Sequence, residues 1–301
     1  MGMAIPVIVN AASGTGHNDG ELEKLAALFR DAGAQAHMMP ARSGEQLQEL
    51  ARAAMKDAPP LLVVAGGDGS VSSVAKLTHG TETALGILPM GTLNHFARDL
   101  GIPFELEAAV ALVINGERRR VDVGTVNGVV FLNNASIGIY PDIVRDRTRQ
   151  QRRLGRSKGT AMLWAILAAM RRSPLVHLRL QLDQGEQRCG SPFVFIGNNE
   201  YLMEGFRIGE RERLDTGRLS VYTTRRSTTA GLFGLAMRAL FGRLHQADDF
   251  SAATTTTLTV ETAHKRLRVA IDGEVTAFDT PLEFRAVARS LWVVAPAGAA
   301  P

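Results

Sequence analysis

A single cysteine, Cys189, in 301 residues excludes an internal disulfide framework and any cysteine-rich zinc site, and is compatible with a reducing compartment. Lysine is scarce as well. Positive charge comes almost wholly from arginine, since the only lysines are Lys24, Lys56, Lys76, Lys158 and Lys265. None stands in a Gly-x-x-x-x-Gly-Lys-Ser/Thr setting, so a P-loop is absent. With three tyrosines, two tryptophans and no recognised motif beside the charge, nucleic acid is not an expected partner. Long apolar runs are missing: the longest, Ala161 to Met170, has ten residues and is too short to span a bilayer. The amino terminus shows no basic region followed by a long apolar core, so no secretory signal is expected and a cytoplasmic location is. Internal repeats and low-complexity tracts are not evident.

What remains is an ordinary globular composition. Hydrophobic residues make up 45% and charged residues 21%, which argues against extensive disorder. The length makes two domains the default. A net charge of +4 leans toward anionic partners such as nucleotides or acidic lipid surfaces.

Along the chain, residues 5–9 read as a strand ending at Asn10 and the small-residue turn Ala11-Ala12-Ser13-Gly14-Thr15-Gly16. Helical spacing over 19–32, a strand at Gln35–Met39 and a helix over Gly44–Lys56 follow. Leu62-Val63-Val64-Ala65 is then a buried strand, Gly66-Gly67-Asp68-Gly69-Ser70 a glycine turn, and Val71–Thr78 a helix. A strand at Ala84–Leu88, the loop Pro89-Met90-Gly91-Thr92 and a helix starting near Asn94 complete the series. This alternation predicts an open, mostly parallel α/β sheet. Ligands gather outside the carboxyl ends of strands in such sheets, and all three polar, glycine-bearing turns lie at such ends.

After about Asp122 the segments shorten and become richer in Val, Thr and Phe. They predict strands at Val129–Asn133, Val176–Leu182, Pro192–Gly197, Arg218–Thr223, Thr255–Glu261, Leu267–Ile271 and Leu282–Phe284, with turns at Asn127-Gly128 and Asp272-Gly273. An antiparallel β domain is expected, interrupted by helices over roughly 157–172 and 228–244. The tail Ala288–Val294 reads as a strand returning to either domain. The expected boundaries are 1–125, with 286–301 as a candidate returning strand, and 126–285.

The chemistry of the turns can be stated from residue types. A Cβ-poor turn between strand and helix lets backbone amides approach an anion, and the helix amino terminus supplies a favourable field. Asp68 inside that turn suits a Mg²⁺-bound phosphate better than a bare one. Asn10 to Gly14 can present a hydroxyl and amides; Thr92 and Asn94 offer hydrogen-bonding groups at a helix start. Taken singly, each would also serve as an ordinary helix cap. His95 has no partner at ligand spacing, which points to a cap or a buried hydrogen bond.

Taken together, Asn-x-x-Ser-Gly, Gly-Gly-Asp-Gly-Ser and Leu-Pro-x-Gly-Thr-x-Asn-x-Phe-Ala-Arg resemble the diacylglycerol kinase catalytic-domain family, which includes bacterial lipid kinases and the sphingosine and ceramide kinases. Asn133-Asn134-Ala135-Ser136-Ile137-Gly138 and Ile271-Asp272-Gly273-Glu274 extend the likeness over nearly the whole chain. The resemblance implies a nucleotide-binding α/β domain, a sandwich-like β domain for the lipid, and an active site in the cleft between them. It implies ATP and Mg²⁺, with phosphates on Asn10, Ser13, Gly14, Gly66, Gly67, Asp68, Gly69, Ser70, Val71, Ser72, Gly91, Thr92 and Asn94. Glu274 matches the general base, with Asp272 beside it.

The sequence departs from the family in places. Ser70 replaces the usual Thr and keeps the hydroxyl; Ala11 replaces a common Pro; Pro40 replaces an ATP-contacting Thr. Relatives carry Asp directly before the glycine corresponding to Gly217, where it holds a structural metal. Thr216 stands there instead, leaving Asp215 as the candidate ligand. The implied reaction is ATP-dependent phosphorylation of diacylglycerol or a similar lipid. Alternatives are a kinase for a soluble alcohol or cofactor, and a nucleotide-binding regulator with little turnover. Two basic, apolar stretches, Arg145–Arg172 and Arg225–Arg243, suit transient contact with the inner membrane surface or simple packing on the β domain. A homodimer is compatible with the sequence.

Overall fold

The computed structural model describes residues 4–11, 19–138, 176–191, 193–201, 210–224 and 250–297. Two units divide the chain. One comprises Met1–Val123, Glu212–Thr216 and Val287–Pro301; the other comprises Gly124–Arg211 and Gly217–Ala286.

In the first unit, strands β1 (Ile5–Asn10), β2 (Ala36–Ala41), β3 (Leu61–Gly66) and β4 (Ala84–Pro89) alternate with helices α1 (Asp19–Asp31), α2 (Gly44–Met55) and α3 (Asp68–Thr78). The strands pair in parallel in the order β2-β1-β3-β4. Val7 stands opposite Val63, and Gly66 opposite Pro89. Parallel strands covered on both faces read as continuous apolar runs, and Leu62 to Ala65 in β3 are wholly buried, as are Leu85, Ile87 and Leu88 in β4. Each such fully buried Val or Leu contributes about 1.5–3 kcal/mol. Helix α2 is fixed at its start by Ser43, whose hydroxyl accepts from the Gln46 amide at 3.1 Å, and its apolar face buries Leu47 and Ala51.

The short α4 (His95–Asp99) follows β4, and α5 (Leu106–Asn115) and β5 (Glu117–Val126) come next. Neither α5 nor β5 is signalled by the periodicity. α5 is apolar on nearly every side, so it shows little of the two-faced pattern that marks a helix. No helix among the described residues is long and apolar enough to cross a membrane.

The second unit is an antiparallel β sandwich. Strands β6 (Val129–Phe131), β7 (Asn134–Gly138), β8 (Val176–Leu182), β9 (Gly185–Ser191), β10 (Phe193–Asn198), β11 (Leu219–Thr224), β12 (Phe250–Thr255), β13 (Thr257–Glu261), β14 (Arg266–Ile271) and β15 (Glu274–Asp279) precede β16 (Leu282–Ala295). One sheet runs β12-β11-β10-β7-β14-β15. Facing it, β13 pairs with the first residues of β16 and with β8, which pairs with β9. Alternate residues from both sheets, among them Val194, Ile196, Val269, Ile271, Leu258, Val260, Leu282 and Phe284, fill one core.

The expected architecture, a parallel α/β domain followed by an antiparallel sandwich, is the one observed. Two details differ. Leu282–Phe284 and Ala288–Val294 belong to one 14-residue strand, whose Arg289 adopts a left-handed conformation (φ +47°). Its carboxyl-terminal half pairs with β4, Val293 opposite Leu85. Thr255–Glu261 is split between two strands, β12 and β13, with Thr256 between them. The helices expected over 157–172 and 228–244, and the basic stretches around them, lie outside the described residues.

Candidate active site

The order β2-β1-β3-β4 places the topological switch between β1 and β3, the crevice where open α/β sheets bind ligands. Asn10, where the first nominated turn begins, meets the other two turns at this edge. Asn10, the last residue of β1, donates from Nδ2 to the Ser70 hydroxyl at 2.7 Å. Ser70 is only 5% exposed, and a Cβ on Gly66 would stand 2.7 Å from its Cβ and Oγ. Glycine at 66 is therefore what allows α3 to begin against the end of β1.

The helix starts earlier than the sequence suggests. Gly67 is its amino-terminal cap, and both the Ser70 and Val71 amides donate to the Gly67 carbonyl. Asp68, Gly69 and Ser70 thus form the first helical turn, whose outermost amides have no intrahelical acceptor and face the ligand edge.

The third turn packs on the second, backbone to backbone. A Cβ on Gly91 would lie 2.4 Å from the Gly67 Cα. Asn94, left-handed at φ +49°, closes this loop by accepting from the Gly91 amide at 3.0 Å and donating to the Gly91 carbonyl at 2.9 Å. Asp68 Oδ1 accepts from the Phe96 amide at 3.2 Å, tying the start of α3 to the start of α4. This last bond was not legible from the sequence. His95 is exposed, against the expectation of a cap or buried partner, because Asn94 and Asp68 already take those roles.

Gly69 and Thr92 are the exposed members of the set, while the side chains of Val71 and Ser72 are buried. Ser13 and Gly14 lie outside the described residues.

Among the described residues, no group of three or more His, Cys, Asp and Glu side chains could cage a metal. Magnesium does not need one, since it commonly takes one or two carboxylates plus phosphate oxygens and water. Asp68 fits that role: a carboxylate beside amides that favour anions is compatible with a phosphate only if a cation accompanies it. Asp215 does not fit. Its side chain, 4% exposed, accepts from Arg213 at 2.8 Å and from Arg289 at 3.4 Å. A carboxylate already neutralised by two guanidinium groups is a poor ligand for a divalent cation.

In the second unit, Asp272 (φ +46°) and Gly273 (φ +85°) form the two-residue turn between β14 and β15, and Glu274 stands opposite Ile271 as the first residue of β15. The two carboxylates have different tasks. Asp272 accepts from the backbone amides of Leu132, Asn133 and Asn134 at 2.9, 2.8 and 3.2 Å. It anchors the turn. Glu274 is exposed, at the edge of the sheet.

Comparison with known proteins matches both parts of the chain. Residues 4–126 match the model of the diacylglycerol kinase catalytic domain, and residues 135–295 match that of the YegS C-terminal NAD kinase beta sandwich-like domain. The chain belongs to the diacylglycerol kinase catalytic-domain family. A Pseudomonas aeruginosa (PAO1) protein named "Probable lipid kinase YegS-like" is 31% identical to this family member over 88% of its chain and 84% of the relative. A Bacillus subtilis protein named "Diacylglycerol kinase" is 28% identical, covering 78% of each chain. The crystal structure of a diacylglycerol kinase from Bacillus anthracis superposes over 98% of each chain with a TM-score of 0.71 at 18% identity, a likeness of fold.

Proposed function

We propose that this lipid kinase family member transfers the γ-phosphoryl group of Mg²⁺-bound ATP to a hydroxyl of diacylglycerol or a similar lipid. The observation that carries the reading is the convergence of Asn10, Gly66–Ser70 and Gly91–Asn94 at the carboxyl ends of three adjacent parallel strands. Phosphoryl transfer asks little covalent chemistry of a protein and much positioning. The amides at the start of α3 take the phosphate oxygens, and the Gly67–Gly91 approach brings two loops onto one ligand. Asp68 would hold the cation, which when bound would neutralise charge on the phosphates. Glu274 takes the proton of the acceptor hydroxyl as its oxygen bonds to the γ-phosphorus and the bond from that phosphorus to the bridging oxygen breaks, releasing ADP. The acceptor is a bilayer component, so the enzyme would work at a membrane surface, transiently bound.

The test is transfer from labelled ATP to a panel of lipids and soluble alcohols, with wild type and Glu274→Gln. Label on lipid is expected. In Glu274→Gln, kcat should fall by about 10²–10⁴ while nucleotide affinity is retained. Label on no lipid despite intact ATP binding, or a kcat for Glu274→Gln near that of wild type, would refute the reading.

A further inference from the structure

The second unit buries an arginine that none of the roles above uses. Arg211 is 3% exposed. Its Nη1 donates to the carbonyl of Leu132 at 2.7 Å and to that of Asn198 at 3.1 Å, and its Nη2 donates to Asn133 Oδ1 at 2.7 Å. Its guanidinium lies 5.3 Å from the Tyr201 ring centroid. Tyr201 in turn donates its hydroxyl to the Asn133 carbonyl at 2.9 Å, where the Asn198 amide also donates, and the Asn198 side chain donates to the Leu132 carbonyl.

Residues 132–134, the short strap between β6 and β7, are therefore gripped from both sides. Their amides point to the Asp272 carboxylate, and the carbonyls of Leu132 and Asn133 point to Arg211 and its neighbours. The peptide joining Leu132 to Asn133 shows the arrangement most directly: its oxygen meets the Arg211 cation and its N–H meets the Asp272 anion. A peptide group carries a dipole of about 3.5 D, and here each end faces the charge that stabilises it. The cation and the anion support one another through the strap, inside a region where such interactions are strengthened by low dielectric. Asp272 is also the first residue of the turn that delivers Glu274, and its own amide donates to the Asn134 carbonyl at 2.9 Å. Nothing in the chain order suggests this coupling, since Arg211 lies far from both the strap and the turn in sequence.

We infer that Arg211 is a positioning residue for Glu274, acting through the strap 132–134 and Asp272. The inference rests on the proposed role of Glu274, but it has a readout independent of activity. Hydrogen exchange of the Leu132, Asn133 and Asn134 amides, measured on the full chain, should accelerate at least about tenfold in Arg211→Met and less in Arg211→Lys, which keeps the charge but loses the fork. Kinetically, Arg211→Met should lower kcat by about 10–100-fold with KM for ATP little changed, because about 1 Å of misplacement is enough for such a loss. The same change placed on Glu274→Gln should cost nothing further. Arg211→Lys should recover part of kcat. Should Arg211→Met fail to fold, Tyr201→Phe removes one donor to the strap and keeps the ring; a smaller loss, again absent on Glu274→Gln, is expected. Unchanged amide exchange overturns the inference, as does an equal loss in the wild-type and Glu274→Gln backgrounds. If wild type phosphorylates no lipid, the functional reading fails while the exchange result still decides whether Arg211 holds the strap.

Discussion

Gly91→Ala tests the packing of the two glycine turns more sharply than any other single change. The added Cβ would lie 2.4 Å from the Gly67 Cα, 2.7 Å from Asn94 Oδ1 and 3.3 Å from the Gly67 nitrogen. Carbon atoms pack comfortably at about 3.5–4.0 Å, so the two backbones must part by about 1 Å or more. Two of those three atoms are main chain and cannot swing away. Gly67 caps α3, and Asn94 is held by two bonds to Gly91 itself, so the shift passes to both turns. Overpacking of this kind costs about 1–3 kcal/mol, and about 1 Å of misplacement near the transferred group costs roughly 10²-fold in rate. Thermal denaturation, nucleotide titration and phosphoryl transfer read the three consequences: a lower Tm, weaker ATP binding and a kcat/KM reduced by about 10–100-fold. Gly69→Ala is the control, since a Cβ there meets nothing within 4 Å; its Tm should match that of wild type. Gly91→Ala with wild-type Tm and kinetics would refute the claim that the two loops are locked by close backbone approach.

Asp215→Asn should lower stability by about 1–2 kcal/mol, the worth of a charge-assisted pair discounted for the exposure of both arginines. Adding EDTA should leave the wild-type Tm unchanged in the absence of nucleotide, and a chelator-induced fall would show a structural metal after all. His79 supplies a pH signature. Burial lowers its pKa below the usual 6.5, and its Nδ1 is buried without a hydrogen-bond partner among the described residues. The unfolded chain therefore binds the proton more readily, so the stability His79 provides is present above about pH 6.5 and declines as pH falls below it. Wild type should lose more Tm than His79→Gln between pH 7.5 and 5.5; parallel losses would refute this.

The fold was legible where apolar period and turn chemistry agree. β3 reads as a strand because four apolar residues end in two glycines, and the structure needs those glycines for the approaches to Ser70 and Gly91. The turns Asn127-Gly128 and Asp272-Gly273 were legible because two successive left-handed residues favour these types. β15 was not, since Glu274–Asp279 is an edge strand with mostly exposed, mixed side chains and no clear alternation. The two strands expected near the carboxyl terminus are one because a single left-handed arginine, not a glycine or proline, marks the change of partner. Of the candidate site, the glycine turns were legible because their glycines and polar residues are local in sequence. The bond from Asp68 to Phe96, the Asp272 clamp and the Arg211 network were not, because each joins residues brought together only by folding.

Thr216 decides between an enzyme and a regulator that has lost turnover. The resemblance places a metal-holding carboxylate there, and a hydroxyl is a much weaker ligand for a hard cation. Loss of the carboxylate argues for lost turnover only if nothing else performs the metal's task of holding residues 212–216 in place. Residues 212–216 are held here by bonds within the protein. Asp215 is clasped by Arg213 and Arg289, the Asp122 amide donates to the Leu214 carbonyl at 2.7 Å, and the Asp122 carboxylate receives the Arg289 amide at 2.8 Å. Leu214 is buried beneath them. Thr216→Asp would set a second carboxylate beside one that two arginines already satisfy. Lipid phosphorylation by Thr216→Asp should therefore equal or fall below that of wild type at every Mg²⁺ concentration. A large, Mg²⁺-dependent gain would mean that the arginine clasp does not substitute for the metal, and that the chain as it stands has surrendered its turnover.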